Sequence, residues 1–396
     1  MIHRQIHFIL IAAIVLLVLS VTACNTSSKD GNNANDTLNN DSTEIIQADV
    51  SYNKEISDIA LFIAGLPVDT SSPLYELTLS SEWKSFSKRM DEKWTIFFND
   101  VDANITPWVN KEIGAVSDTI QTLFYPFSGP DFINADVFFP DMENYIFFGL
   151  EPPGSLPDPL SVKPAEMPSY YKMYEKSIEH IIYLSFFRTH SMKADLSTME
   201  VDGAAPVILI FMARAGKKII DIKPFRFADD GTLSYDTVFN AFKPHEKFKK
   251  GVEITFRNEN DPKVQKLVYF SIDISDNYLA QNTGVKTWLN SIDSSCAVYI
   301  KSASYLLHDP YFETIKALIL EKGSLIVQDD SGMPYKFFDK SKWAVGLHGT
   351  YDMPIPIFSK YFQKEMRDDY LAAKTTDLPF RRGYAKRTNL QVARKK

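Results

Sequence analysis

The chain has 396 residues, 45% of them hydrophobic and 13% aromatic, and a formal net charge of −7. That composition supports a real core and confines disorder to one polar stretch before residue 50. With two cysteines, Cys24 and Cys296, a disulfide-stapled scaffold is excluded.

The first element is a leader. Arg4 supplies positive charge, and Phe8 to Leu19 is an almost unbroken apolar run of the length of a signal-peptide core. It is short for a membrane span, which needs about 20 apolar residues, and Ser20 and Thr22 close it. Val21-Thr22-Ala23-Cys24 resembles the lipobox of bacterial lipoproteins, with Val21 where leucine is commoner. The resemblance implies cleavage after residue 23 and a diacylglyceryl group on the Cys24 thiol, with further acylation making attachment stable. It also implies sorting to the outer membrane, because the residue after the cysteine is Asn25 and not the Asp that retains such proteins at the inner membrane. That compartment disfavours nucleic acid as a partner. Residues 24–49 are rich in Asn, Asp, Ser, Thr and Gly and read as the lipidated cysteine and a flexible tether.

The body, residues 50–396, starts with helices. Ile56, Ile59, Ala60 and Ile63, then Trp83, Phe86, Met90, Trp94 and Phe97, recur at spacings of three and four. Strands are expected over Thr119 to Phe124 and Asn144 to Phe148, a sub-boundary near 155–168, and a helix over Met173 to Phe187. Val207 to Ala213 and Lys218 to Pro224 read as one hairpin, and Val252 to Arg257 and Lys266 to Ile274 as another, turning at Asn258 to Pro262. Further strands fall at Ala297 to Lys301, Ser324 to Gln328 and Trp343 to Leu347, and helices at Tyr311 to Glu321 and Phe358 to Ala373. Residues 380–396 form a basic tail, read as a solvated terminus or a docked last strand over Asn389 to Ala393. The order predicts α+β, with a helical start, a largely antiparallel sheet of hairpins and C-terminal helices, and not a doubly wound parallel sheet.

Nucleotide, hydrolase and metal motifs are missing, so no cofactor or metal is expected. Ser81-Glu82-Trp83-Lys84, Ser85-Phe86-Ser87-Lys88 and Ser275-Asp276-Asn277 echo penicillin-binding elements, but Lys-Thr-Gly is absent and the gap is too long. The Ser-x-x-Lys pair reads as the wet face of a helix, and Cys296, in an apolar strand, as a buried inert thiol.

Two segments draw the chemistry. Phe124 to Phe132, with Phe138-Phe139-Pro140-Asp141 and Phe148 to Gly154, resembles a block of bacterial envelope proteins with no assigned activity, a resemblance extending loosely to Gln328 to Gly332. Its turns offer Ser128, Asp131, Asp141 and Glu151 as a binding rim, although Asp131 is better read as a helix cap. The second segment combines His308-Asp309-Pro310, Asp329-Asp330 and His348, residue types suited to a hard metal or acid–base catalysis. Asp309 also reads as a cap, Asp330-Ser331-Gly332 as a plain turn, and His190 as a helix-end cation. The leading expectation is an anchored binding protein for an envelope glycan, peptide or protein; the alternatives are a periplasmic or surface hydrolase and a structural subunit.

Overall fold

The computed structural model describes residues 51–114, 120–185, 202–235, 250–384 and 388–396. The leader, Cys24, the tether, His190, Lys386 and Arg387 lie outside the described residues.

Helix α1, Lys54–Ile63, starts where Asn53 accepts the Ile56 amide at 3.1 Å, and α2, Ser81–Asp100, where Ser80 accepts the Trp83 amide at 3.2 Å. The stripe Trp83, Phe86, Met90, Trp94 and Phe97 is buried, whereas Ser81, Lys84, Ser85 and Lys88 face water as expected. Beyond α2 the helix continues through two wide turns, Val101–Ile105 and Val109–Ile113, either side of Pro107. Proline has no amide hydrogen and crowds the carbonyl four residues back, and wider turns accommodate it.

There follow β1 (Thr122–Tyr125), α3 (Phe132–Phe138), β2 (Asn144–Gly149), α4 (Met167–Leu184) and α5 (Ala204–Arg214). Next come β3 (Lys217–Phe227), β4 (Leu233–Tyr235), β5 (Gly251–Asn258), β6 (Val264–Ser271), α6 (Asp276–Gln281) and α7 (Thr283–Asn290). The last elements are β7 (Cys296–Ile300), α8 (Glu313–Lys322), β8 (Gly323–Gln328), β9 (Trp343–Gly349), α9 (Lys364–Ala373) and β10 (Asn389–Lys395).

The described strands form one ten-stranded sheet in the order β4-β3-β5-β6-β2-β1-β7-β8-β10-β9. Helix and strand mix as the α+β expectation requires, and the outer pairs, including the β5–β6 hairpin, are antiparallel. The centre corrects the expectation of a largely antiparallel sheet: β6, β2, β1, β7 and β8 run parallel. Numbered along the chain, these five stand third, second, first, fourth and fifth, so the winding direction reverses between β1 and β7. Side chains alternate between two cores: Tyr125, Tyr145, Tyr269 and Tyr299 face one that includes α1 to α5, and Phe124, Ile146, Phe270 and Val298 face one that includes α6 to α9. Burial on both faces is what parallel strands require. The first core takes residues from both sides of 155–168, and the body forms one compact unit without a boundary there.

Val207 to Ala213, expected as a strand, lies in helix α5. Ala204 through Met212 are at most 1% exposed apart from Pro206, which is also buried, so no polar face reveals the helical period. The expected hairpin at Ala213 to Lys217 is therefore a helix-to-strand turn through Gly216, at φ +73°. The helix expected over Phe358 to Ala373 is divided into a 3-10 segment, Pro356–Tyr361, and α9. Nor is the described part of the basic tail solvated throughout. Strand β10 is inserted between β8 and β9; Lys395 Nζ donates to the Leu320 and Glu321 carbonyls at the end of α8, and Arg394 to those of Glu112 and Ile113. Among the described residues no helix is long and apolar enough to cross a membrane.

Candidate functional site

Parallel α/β sheets take ligands outside the carboxyl ends of their strands where the winding reverses. Here that position is the edge where β1, β7 and β8 end, and it collects buried charge.

Asp131 follows β1 and is 1% exposed. It sits at the N-cap position of α3 yet makes no capping hydrogen bond, so the helix-cap reading fails. Its carboxylate accepts instead from the Tyr125 hydroxyl at 3.0 Å and Asn134 Nδ2 at 2.8 Å, and pairs with Lys301 Nζ at 2.6 Å. Lys301, immediately after β7, also donates to the Ser185 carbonyl. Burial lowers the lysine's pKa, and the Asp131 charge opposes that shift.

Asp329 and Asp330 follow β8 directly. The Asp329 carboxylate accepts from the Ser302 amide at 2.8 Å, the Ser331 amide at 2.9 Å and the Ser331 hydroxyl. Burial and the neighbouring Asp330 charge raise its pKa, against those hydrogen bonds. Asp330 accepts from the Tyr305 hydroxyl and from Asn389 Nδ2 at 2.9 Å, and burial raises its pKa as well. The turn expected at residues 330–332 is present, closed by the Gly332 amide on the Asp329 carbonyl at 3.2 Å. Above it lies an aromatic layer: the Tyr305 ring stacks on Tyr361 at 5.1 Å, and Phe358 contacts Tyr305 and Tyr384 at 4.9 and 5.4 Å.

His308 belongs to this layer, 5.1 Å from the Tyr305 ring and 5.4 Å from Tyr361. Burial pushes its pKa down to about 4, so it is neutral near pH 7. Asp309 does not cap a helix; its carboxylate accepts from the Tyr361 hydroxyl at 3.0 Å. His348 does not join them. On β9 it packs edge-on against Trp108 at 5.2 Å, with Nε2 3.8 Å from Glu112.

The first expected rim is divided too. Ser128 donates to the Phe148 carbonyl at 3.2 Å, and Glu151, buried beside Gly149, lies at the carboxyl edge with Asp131. Asp141 is exposed in the turn leading into β2, at the opposite edge. Elsewhere, Asp276 accepts the Glu313 and Thr314 amides at the start of α8, a structural role for the Ser-Asp-Asn text, and Cys296 is buried with its pKa pushed up to about 12.

Sequence reasoning missed Lys301, Tyr125, Tyr305 and Arg382. The available signal was Ala297-Val298-Tyr299-Ile300-Lys301, where a lysine closes an apolar strand and must carry a partner inward. Among the described residues no group of acids, histidines and cysteines is arranged to hold a metal ion. Comparison with family models, curated proteins and solved structures finds no match to this chain.

Proposed function

We propose that this chain is an outer-membrane lipoprotein, anchored through diacylglyceryl on Cys24, whose body is a binding module for an envelope glycan, peptide or partner protein and not a hydrolase. One observation carries the choice. The acids that an acid–base mechanism would use are buried and held by the protein itself, Asp131 by three donors and Asp329 by three more, and His348 packs against Trp108 and Glu112. A general base needs a free lone pair within reach of substrate. The surface beside the aromatic layer is instead apolar and wet: Ile357 is 78% exposed, and Met353, Tyr311 and Phe362 are exposed with it. Large apolar side chains exposed on neighbouring stretches of the chain are the chemistry of a docking surface.

Mass spectrometry of the mature product tests the anchor, and a bare thiol or a retained leader overturns it. A glycan and peptide array probed with the mature chain tests the surface. Saturable binding abolished by Ile357→Asp with Met353→Asp supports the reading; binding unchanged by the pair, or hydrolysis of an array member, overturns it.

A further inference from the structure

Arg382 differs from the other buried cations at the carboxyl edge. Its side chain belongs to a residue 3% exposed, with Nη1 donating to the Arg381 carbonyl at 2.6 Å. Its Nε and Nη2 have no acceptor, and no carboxylate pairs with it among the described residues. These are the two N–H groups on one side of the guanidinium, the parallel fork that takes two oxygens of one carboxylate or phosphate. The plane is already held, because the guanidinium lies 5.7 Å from the rings of both Phe138 and Phe380.

A second group nearby is also unpartnered. The Tyr299 hydroxyl is buried with no hydrogen-bond partner, and its ring stacks on the same Phe138 at 5.0 Å. Arg382 faces the Tyr299 hydroxyl closely enough for its charge and a side-chain hydrogen-bonding contact to oppose the burial that raises the Tyr299 pKa, although that contact falls short of full hydrogen-bond geometry and leaves the hydroxyl proton without an acceptor. The Arg382 charge also bears on Lys301, and the backbone next to Arg382 is fixed against the site: a Cβ on Gly383 would stand 2.5 Å from Asp329 Oδ2. A desolvated guanidinium without a counter-charge is strongly destabilising, and a bound anion removes that penalty.

We propose that Arg382 and the Tyr299 hydroxyl form a buried oxyanion site at the carboxyl edge of β7, taking one compact group whose paired oxygens engage Nε and Nη2 while a lone pair accepts the tyrosine proton donor. The site is independent of the apolar docking surface, and either can fail without the other.

Thermal unfolding of the mature chain at pH 7 and constant ionic strength, titrated with sodium phosphate, sulfate, acetate or chloride, tests it. The expected result is a saturable rise in Tm with at least one oxyanion and none with chloride. A phosphate or sulfate response against an acetate response separates tetrahedral from planar ligands. Arg382→Lys keeps the charge but loses the fork and abolishes the rise. Tyr299→Phe removes a single unpartnered hydroxyl, so it folds, and weakens the apparent affinity roughly five- to tenfold. Equal responses in wild type and Arg382→Lys, an unchanged dissociation constant in Tyr299→Phe, or no oxyanion response at all, as when water alone fills the fork, each overturn the proposal.

Discussion

The two edges of the parallel centre are built from the same five strands but differ in chemistry. At the amino edge a buried ion pair, Lys217 Nζ to Asp136 at 2.7 Å, accompanies neutral groups: Gln265 Nε2 donates to the Pro140 and Met142 carbonyls at 3.2 and 2.8 Å, and Asp141 lies in water. At the carboxyl edge Asp131, Lys301, Asp329, Asp330 and Arg382 are all buried. Backbone strain follows the same division. Of the six described non-glycine residues with positive φ, Phe127, Ser302, Ser304 and Tyr305 follow β1 or β7, and Ser185 holds Lys301. Buried ions and left-handed residues are thus more numerous at the carboxyl edge than at the amino edge, and both cost stability where they occur.

The largest test of that contrast is Lys301→Met, which leaves Asp131 charged and unpaired in the interior. It should cost about 3–5 kcal/mol in chemical denaturation, whereas Asp141→Ala at the other edge should stay within about 0.5 kcal/mol. Similar costs for the two would erase the distinction. Acid titration gives the next effect. His308 is held neutral with a pKa of about 4 against the ordinary 6.5, so below pH 6.5 the unfolded chain takes up a proton that the fold refuses. Stability from this group is full above pH 6.5 and is lost as pH falls toward 4, and His308→Phe should flatten that limb of a Tm profile. Asp329, whose pKa is raised, has the opposite sign: it favours the fold at low pH and loses that advantage as pH rises through its folded value. A His308→Phe profile that still falls steeply between pH 6.5 and 4 would show that another group carries the acid response.

Gln265→Ala should cost about 1–3 kcal/mol by orphaning two buried carbonyls, less than Lys301→Met if the amino edge is the simpler one. Smallest is Ser302→Gly. Ser302 has φ +50° and a buried hydroxyl without a partner, so glycine relieves left-handed strain without losing a hydrogen bond. A gain of up to about 1 kcal/mol is expected, the cost of glycine's unfolded-state entropy included. A loss would mean that the serine conformation is not strained.

How much of this could be read beforehand divides along the same line. Amphipathic helices such as α2, and strands such as β5 and β6 with a turn between them, write their period into the chain. Helix α5 does not, because burial on every side removes the polar face. The parallel centre was hidden for a different reason: pairing direction leaves no periodic trace, and residues 150–263, whose described part holds helices α4 and α5 and the antiparallel strands β3 to β5, separate β2 from its neighbour β6. Asp131, Asp329 and Asp330 were visible as residues but not as a network, since a carboxylate that caps a helix and one that turns inward occupy the same position in the text. Asp141 was grouped with them because a loop residue does not announce at which end of a strand it falls.

Strand β10 carries a consequence for biogenesis. Strands β8 and β9 are made before it but are joined in the sheet only through it, by antiparallel ladders on both sides. Until that segment emerges, β9 has no place in the sheet, and β8 shows an open hydrogen-bonding flank. Maturation is therefore a late event in the life of the polypeptide, and a chain arrested or clipped before residue 389 would expose a sticky border to chaperones, proteases and its own copies.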